Sequence, residues 1–176
     1  MSIKYIKPTK KYLQSYYEAC KESWNKVHNN YILHNPDEFE IWKDNIFKEY
    51  ENQEKGINLP KGYVPSVTYW IVNNDTYIGT INIRLFLNSD LRNYGGHIGI
   101  AIRVSKRNSI YGIRAVEWAL KQAKKLKISP ILATCQKSNI LSLRLLTSKF
   151  SKYYKKEEDI VNLDGISQPI IRFWYK

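Results

Sequence analysis

Between residues 95 and 135 the apolar pattern changes period twice, and this double change restricts the folds open to the chain. GGHIGIAIRV (95–104) reads as a strand. Ile110, Ile113, Val116, Leu120 and Ala123 then recur at helical spacing, with Lys121, Lys124 and Lys125 on the wet side. PILATC (130–135) is again a short apolar strand. Strands joined through a helix within one sheet run parallel, because a tight turn can only reverse the chain. The segments upstream behave differently. VTYWIV (67–72) and TYIGTINIRLF (76–86) flank Asn73-Asn74-Asp75, which is turn chemistry for an antiparallel hairpin.

The rest of the chain fits around that crossover. A short strand at 3–6 ends before Pro8, and Leu13, Tyr17, Cys20, Trp24 and Val27 mark a helix over 11–27. Asn35-Pro36-Asp37-Glu38 carries the signature of a helix start, followed by the stripe Phe39, Trp42, Ile46, Tyr50. NSDLRNY (88–94) reads as a polar turn. Ser138-Asn139 opens a shorter helix with Leu141 and Leu145, and strands close the chain near Tyr153 and at 170–175. The expected order is β-α-α-β-β-β-α-β-α-β-β, an α/β (α+β) fold. Its mixed, mostly antiparallel central sheet has six to seven strands flanked by about four helices. One domain over 1–176 is expected, with 1–60 shaping one side and 64–176 forming the core.

Charge gives a hint about partners. The chain has 28 Lys+Arg against 16 Asp+Glu, a net charge of +12, which suits a polyanion such as nucleic acid or a phosphorylated cofactor. The basic residues are spread along the sequence, as on a solvated surface, and no nucleic-acid motif is present. Cys20 and Cys135 have no metal-ligand spacing, so no metal site is expected and a reducing compartment is the default. The polar start MSIKYIKPTKKYLQ lacks the apolar core of a signal peptide, and no run approaches a membrane span. A cytoplasmic location and no membrane contact are expected.

The end of strand 95–104 is the candidate anion site. A strand that turns through a short polar loop into a helix leaves N–H groups unpaired at the positive end of the helix dipole. Arg107 adds a cation there, and Gly112 allows close backbone approach.

Gly95-Gly96-His97-Ile98-Gly99, Ile102-Arg103, Ser105, Arg107 and Tyr111-Gly112, followed by Asn139 and Ser142, resemble a bacterial branch of the GNAT acetyltransferases. In that branch the strand reads GGHIGY and leads into an Arg-x-x-Gly-x-Gly/Ala loop. The likeness continues through GYVPSVTYW, IGTINIR and the closing IIRFWYK, about 110 residues of the chain. It implies acetyl-CoA as co-substrate, and acetyl transfer to the primary amine of a small molecule or peptide. Main-chain groups of Ile100, Ala101, Ile102, Arg103 and Val104 would pair with the pantetheine arm. The N–H groups of Arg107, Asn108, Ser109, Ile110, Tyr111, Gly112 and Ile113 would cradle the pyrophosphate, and Asn139 and Ser142 would hold the cofactor arm. His97 is the candidate base, since an imidazole titrates near neutral pH.

Where the chain departs from the pattern, an alternative opens. Asn108 and Ile110 replace loop glycines, Val104 replaces a proline, and Lys149-Phe150-Ser151 replaces Asn-Gly-Gly. Leu146 stands where many superfamily members carry the tyrosine that protonates the leaving thiolate. Asn108 is tolerable in the loop, since Asn visits left-handed conformations readily, but Ile110, Leu146 and the lost Gly-Gly favour a binding or regulatory protein that keeps the fold; a basic nucleic-acid-binding protein is the more distant alternative. A homodimer is compatible with either.

Overall fold

The computed structural model describes residues 2–23, 33–148, 152–163 and 165–176. Four strands, β1 (Ile3–Ile6), β2 (Ser66–Asn73), β3 (Thr76–Arg84) and β4 (Ile98–Ile102), form an antiparallel sheet in sequence order. Three more, β5 (Ile131–Gln136), β6 (Lys155–Leu163) and β7 (Ile166–Tyr175), form a second sheet in the order β5-β7-β6. The expected seven strands are therefore split between two ladders. The helix α5 (Ile110–Lys125) crosses from β4 in one ladder to β5 in the other. No ladder pairs β4 with β5 among the described residues.

The two sheets meet where β4 and β5 begin. His97 N–H donates to Leu132 O at 2.7 Å, and Leu132 N–H donates back to His97 Nδ1 at 2.9 Å. Gly95 N–H reaches Thr134 Oγ1 at 2.8 Å. Gly96 lies at φ +61, and a Cβ there would stand 2.5 Å from Leu132 O, so the crossing of β5 tolerates only glycine. Residues 95–97 thus form the junction, and β4 is shorter than the strand expected over 95–104.

Core packing explains why β2 carries so little alternation. Ile71 faces the layer under α5, where Ala115, Ala119 and Ala123 let the helix sit close to Ile81, Ile131 and Phe173. Trp70 and Val72 face the opposite layer, with Tyr16 and Cys20 of α1 (Leu13–Ser23), Trp42 and Tyr77. A strand covered on both faces is apolar throughout.

Some elements differ from expectation. The helix stripe of the first sixty residues includes Trp24 and Val27, which lie outside the described residues. The second helix is broken: a 3-10 turn at Pro36–Glu38 leads into α2 (Phe39–Trp42), and α3 (Ile46–Lys55) follows after a turn. Asp44 and Asn45, both weak helix formers, occupy the break, and Trp42 Nε1 donates to Asn35 O at 2.7 Å. The polar 88–94 segment contains a short helix, α4 (Ser89–Asn93), because Asn88 Oδ1 caps Leu91 N–H at 2.9 Å. α6 (Ile140–Leu146) lies where a short helix was expected. β6 begins at Lys155, past Tyr153, and its charged face hides the period of a strand. No described helix is long and apolar enough to cross a membrane.

Candidate functional site

β4 pairs with β3 along one edge only. Arg103 N–H donates to Ile78 O at 2.9 Å, and the register sets Ile100 opposite Ile81 and Ile102 opposite Gly79. The alternation of an antiparallel ladder turns the main chain of Gly99, Ala101 and Arg103 toward β3, and that of Ile100 and Ile102 toward the seam. An unpaired strand edge therefore faces the gap beside β5.

The chain leaves β4 through a 3-10 turn at Val104–Lys106, so Val104 belongs to the loop instead of the strand. Arg107 Nε donates to Ile102 O at 3.1 Å, folding its side chain back over the strand end. Asn108 takes φ 53, the left-handed conformation that Asn tolerates better than most residues. Ser109 Oγ donates to Lys106 O at 2.6 Å, and Ser109 makes no side-chain cap on α5. With no acidic residue in the first turn, the N–H groups at the start of α5 keep their positive field.

Glu22, near the end of α1, is a part of this region that the sequence reading missed. Its Oε2 accepts from Arg103 Nε at 3.1 Å, Ser105 N–H at 3.1 Å and Ser105 Oγ at 3.0 Å. A lone glutamate on a helix face carries no signal for such a contact across more than eighty residues.

The other expected site residues separate into two groups. Ile110 opens α5 with a 48% exposed side chain, and Ile113 is half-buried. Tyr111 is buried and its hydroxyl accepts from Asn73 Nδ2 at 2.9 Å. A Cβ on Gly112 would lie 3.1 Å from Leu145 Cδ1, so this glycine permits the close approach of α6. Asn139 caps α6 with Oδ1 accepting Ser142 N–H at 3.0 Å. Loop and helix start thus form one continuous surface, with Asn139 and Ser142 on the neighbouring helix.

His97 stands at the far end of β4. Burial and the nearby Arg84 and Arg92 push its pKa down to about 4. Its Nδ1 lone pair is occupied by Leu132 N–H, so the neutral ring carries its proton on Nε2. The imidazole is held as part of the junction. Leu146 is buried, and its carbonyl accepts from the buried Tyr175 hydroxyl at 3.0 Å.

A family model described as an acetyltransferase (GNAT) domain matches residues 6–148. The chain belongs to the GNAT family. The match includes α1 to α3 as well as the β4–α5 region, so both layers of the fold are shared with it. No curated protein sequence matches the chain. Solved structures that resemble this GNAT domain are distant in sequence. An N-acetyltransferase from Staphylococcus aureus Mu50 is 14% identical, with a TM-score of 0.62 over 100% of this chain and 99% of that one. The PaiA N-acetyltransferase of Thermoplasma acidophilum, in complex with coenzyme A, is 15% identical with a TM-score of 0.57 over 99% and 100%. A ribosomal alpha-N-protein acetyltransferase with coenzyme A is 11% identical with a TM-score of 0.65 over 99% and 93%. Membership of an acetyltransferase family assigns the chain to acetyl transfer in general terms.

Proposed function

We propose that this single GNAT domain, residues 1–176, transfers the acetyl group of acetyl-CoA to a primary amine in the cytoplasm. One observation carries the reading: the open edge of β4 leads through the loop 103–109 to the uncapped start of α5. Extended main chain with outward N–H and C=O groups suits a pantetheine arm, and a free helix start beside Arg107 suits a pyrophosphate. In this reading Ile100 and Ile102 pair with the arm, while Arg107 and the N–H groups of 108–113 hold the phosphates. Asn139 offers its Nδ2 to the arm while Oδ1 keeps the cap.

The amine nitrogen attacks the thioester carbonyl carbon, the C–S bond breaks, and CoA leaves as the thiolate. The ammonium gives one proton to water before the attack, because His97 has no free ring lone pair to accept it, and the new amide nitrogen gives a second to water or to the thiolate after it. Acetyl transfer of this kind needs charge stabilised at the carbonyl oxygen and leaving sulfur. The acceptor is a small molecule or a peptide amino group.

Isothermal titration with acetyl-CoA and with CoA, followed by thiol release over a panel of amines, tests the reading. One acyl-CoA per chain and thiol release with at least one amine are expected. Cys20 and Cys135 give no background, since burial pushes both thiols up to about 11. Absence of acetyl-CoA binding at millimolar concentration refutes the proposal. The second reading, a GNAT fold that binds without turnover, is favoured by the Leu146 side chain, an apolar group that cannot donate a proton to the thiolate. Tight binding without thiol release over the whole panel supports it.

A further inference from the structure

At the opposite end of β4 from the loop, five strand residues and thus about 16 Å away, a cavity of about 280 Å³ opens beside His97. Leu85, Ile128, Pro130 and Trp174 give it apolar walls, and Arg92 and Lys127 reach it from the β3–β4 and α5–β5 connections. No carboxylate lines it. Among the described residues neither the Arg92 guanidinium nor the Lys127 ammonium has an ion pair or a side-chain hydrogen bond. Two cations therefore share a concave, half-apolar space with no carboxylate in its lining, the nearby Glu157 being bonded to the outer Nε1 of Trp174.

His97 supplies the third polar group. The ring is only 7% exposed, its Nδ1 is bonded to Leu132 N–H, and among the described residues Nε2 has no hydrogen-bond partner. The proton on a neutral ring bonded this way must sit on Nε2, so the cavity receives a fixed N–H donor. Behind it the half-buried Arg84 guanidinium donates to Gly95 O at 3.1 Å and Gly96 O at 2.9 Å, adding positive potential. Burial, Arg84 and Arg92 together keep the ring neutral through the physiological range, so the donor persists.

We propose that this cavity binds a small organic carboxylate with an apolar body. One carboxylate oxygen accepts from His97 Nε2–H, the other faces Arg92 and Lys127, and the apolar body lies against Ile128 and Trp174. A space of this size has room for an anion of about benzoate size, since a cavity of about 150 Å³ already holds benzene. Apolar walls disfavour inorganic phosphate, which needs polar partners on every side. The site is independent of acetyl transfer, because it touches neither the loop after β4 nor the start of α5.

The test is titration of the full chain with benzoate by calorimetry, with benzamide and inorganic phosphate as probes lacking the charge or the apolar body. Benzoate should saturate below about 10 mM, and both other probes should bind at least about tenfold more weakly. The 15N resonance of His97 Nε2 should shift with benzoate. Arg92→Gln and Lys127→Asn alter exposed residues, and Asn suits the left-handed backbone at 127 (φ 60), so both variants should fold. Each should weaken benzoate about tenfold, the loss of one charge-assisted contact. Benzamide binding as tightly as benzoate, or variants binding benzoate like the natural chain, would overturn the proposal. So would displacement of benzoate by saturating CoA, which would put the anion in the cofactor cleft.

Discussion

Replacing Glu22 with alanine removes one oxygen that accepts three hydrogen bonds, from Arg103 Nε, Ser105 N–H and Ser105 Oγ. A buried charge-assisted bond contributes about 1.5–3 kcal/mol. The side chains of Arg103 and Glu22 are 17% and 26% exposed, so water re-solvates part of what is lost. A total of about 2 kcal/mol is therefore expected, well short of three full bonds. In a chain of this length that corresponds to a Tm lowered by about 4–8 °C. Thermal melts of the natural protein, Glu22→Ala, Arg103→Ala and the double variant close a cycle, and the coupling should be about 1 kcal/mol or more. Burial raises the Glu22 carboxyl, but the bonds from Ser105 and Arg103 outweigh it and hold the group below the usual range. Its folded pKa lies below its unfolded one, so its contribution is present above the unfolded value near 4.3 and lost as pH falls through the folded one. Glu22→Ala should accordingly flatten the acid limb of the stability profile. A coupling within about 0.3 kcal/mol of zero refutes the argument, because the contacts would then be accidents of position. Weaker CoA binding by Glu22→Ala is a separate consequence, which follows only if the loop is the phosphate cradle.

Arg107→Ala should weaken CoA binding by about 1–3 kcal/mol in titration, more than Arg103→Ala or Arg114→Ala; a larger effect at either of those would move the phosphate site. Gly112→Val should destabilise by about 1–3 kcal/mol in chemical denaturation, since the first added carbon already meets Leu145 at 3.1 Å. An NMR titration should find His97 neutral down to about pH 4, with stability falling between about pH 6.5 and 4 by at most about 1.4 kcal/mol per unit, because only the unfolded chain takes up that proton. An ordinary imidazole titration near 6.5 would dissolve the junction role given to it. Ile110→Gly should tighten acetyl-CoA binding measured by calorimetry, offset by about 1 kcal/mol of added chain entropy at most.

Much of the fold could be read from the sequence because period changes are local. The crossover of 95–135 depends on spacing within about forty residues, and the caps at Asn35 and Asn139 on three or four. What escaped was non-local. Nothing in the residues tells a strand over 95–104 from a junction at 95–97 followed by β4, because Gly95 and Gly96 answer to Leu132 and Thr134, far along the chain. The same holds for Glu22, whose partners are Arg103 and Ser105. His97 looked like a base because imidazole is the usual one near neutral pH, but its protonation is fixed by a backbone N–H donated from β5. The loop was the opposite case: Asn108 was legible as a left-handed residue, since that preference belongs to the residue itself.

The loop after β4 carries side chains at positions 108 and 110, where the resemblance implies glycine. Asn108 supplies the left-handed turn, Ser109 Oγ closes it on Lys106 O, Arg107 Nε ties it to the strand end, and Glu22 fixes Ser105. Gly112, the one glycine kept, answers to Leu145 of α6. Each of these restraints exists in the free chain. Glycines lose more conformational freedom on ordering than other residues, so a loop with fewer of them arrives at a ligand with less left to lose. Replacing Asn108 therefore acts on the folding of the loop first and on a ligand only through it. Ile110 differs in kind. Its apolar side chain is half exposed, can form no hydrogen bond to the loop, and adds only bulk at the helix start where phosphate N–H contacts would form. Of the departures within the described loop, it is the one whose effect should appear directly in ligand affinity, with unfolding changed only by the added chain entropy of about 1 kcal/mol at most. The single substitutions Asn108→Gly and Ile110→Gly should then separate the two: the first acts mainly on Tm, the second mainly on the dissociation constant.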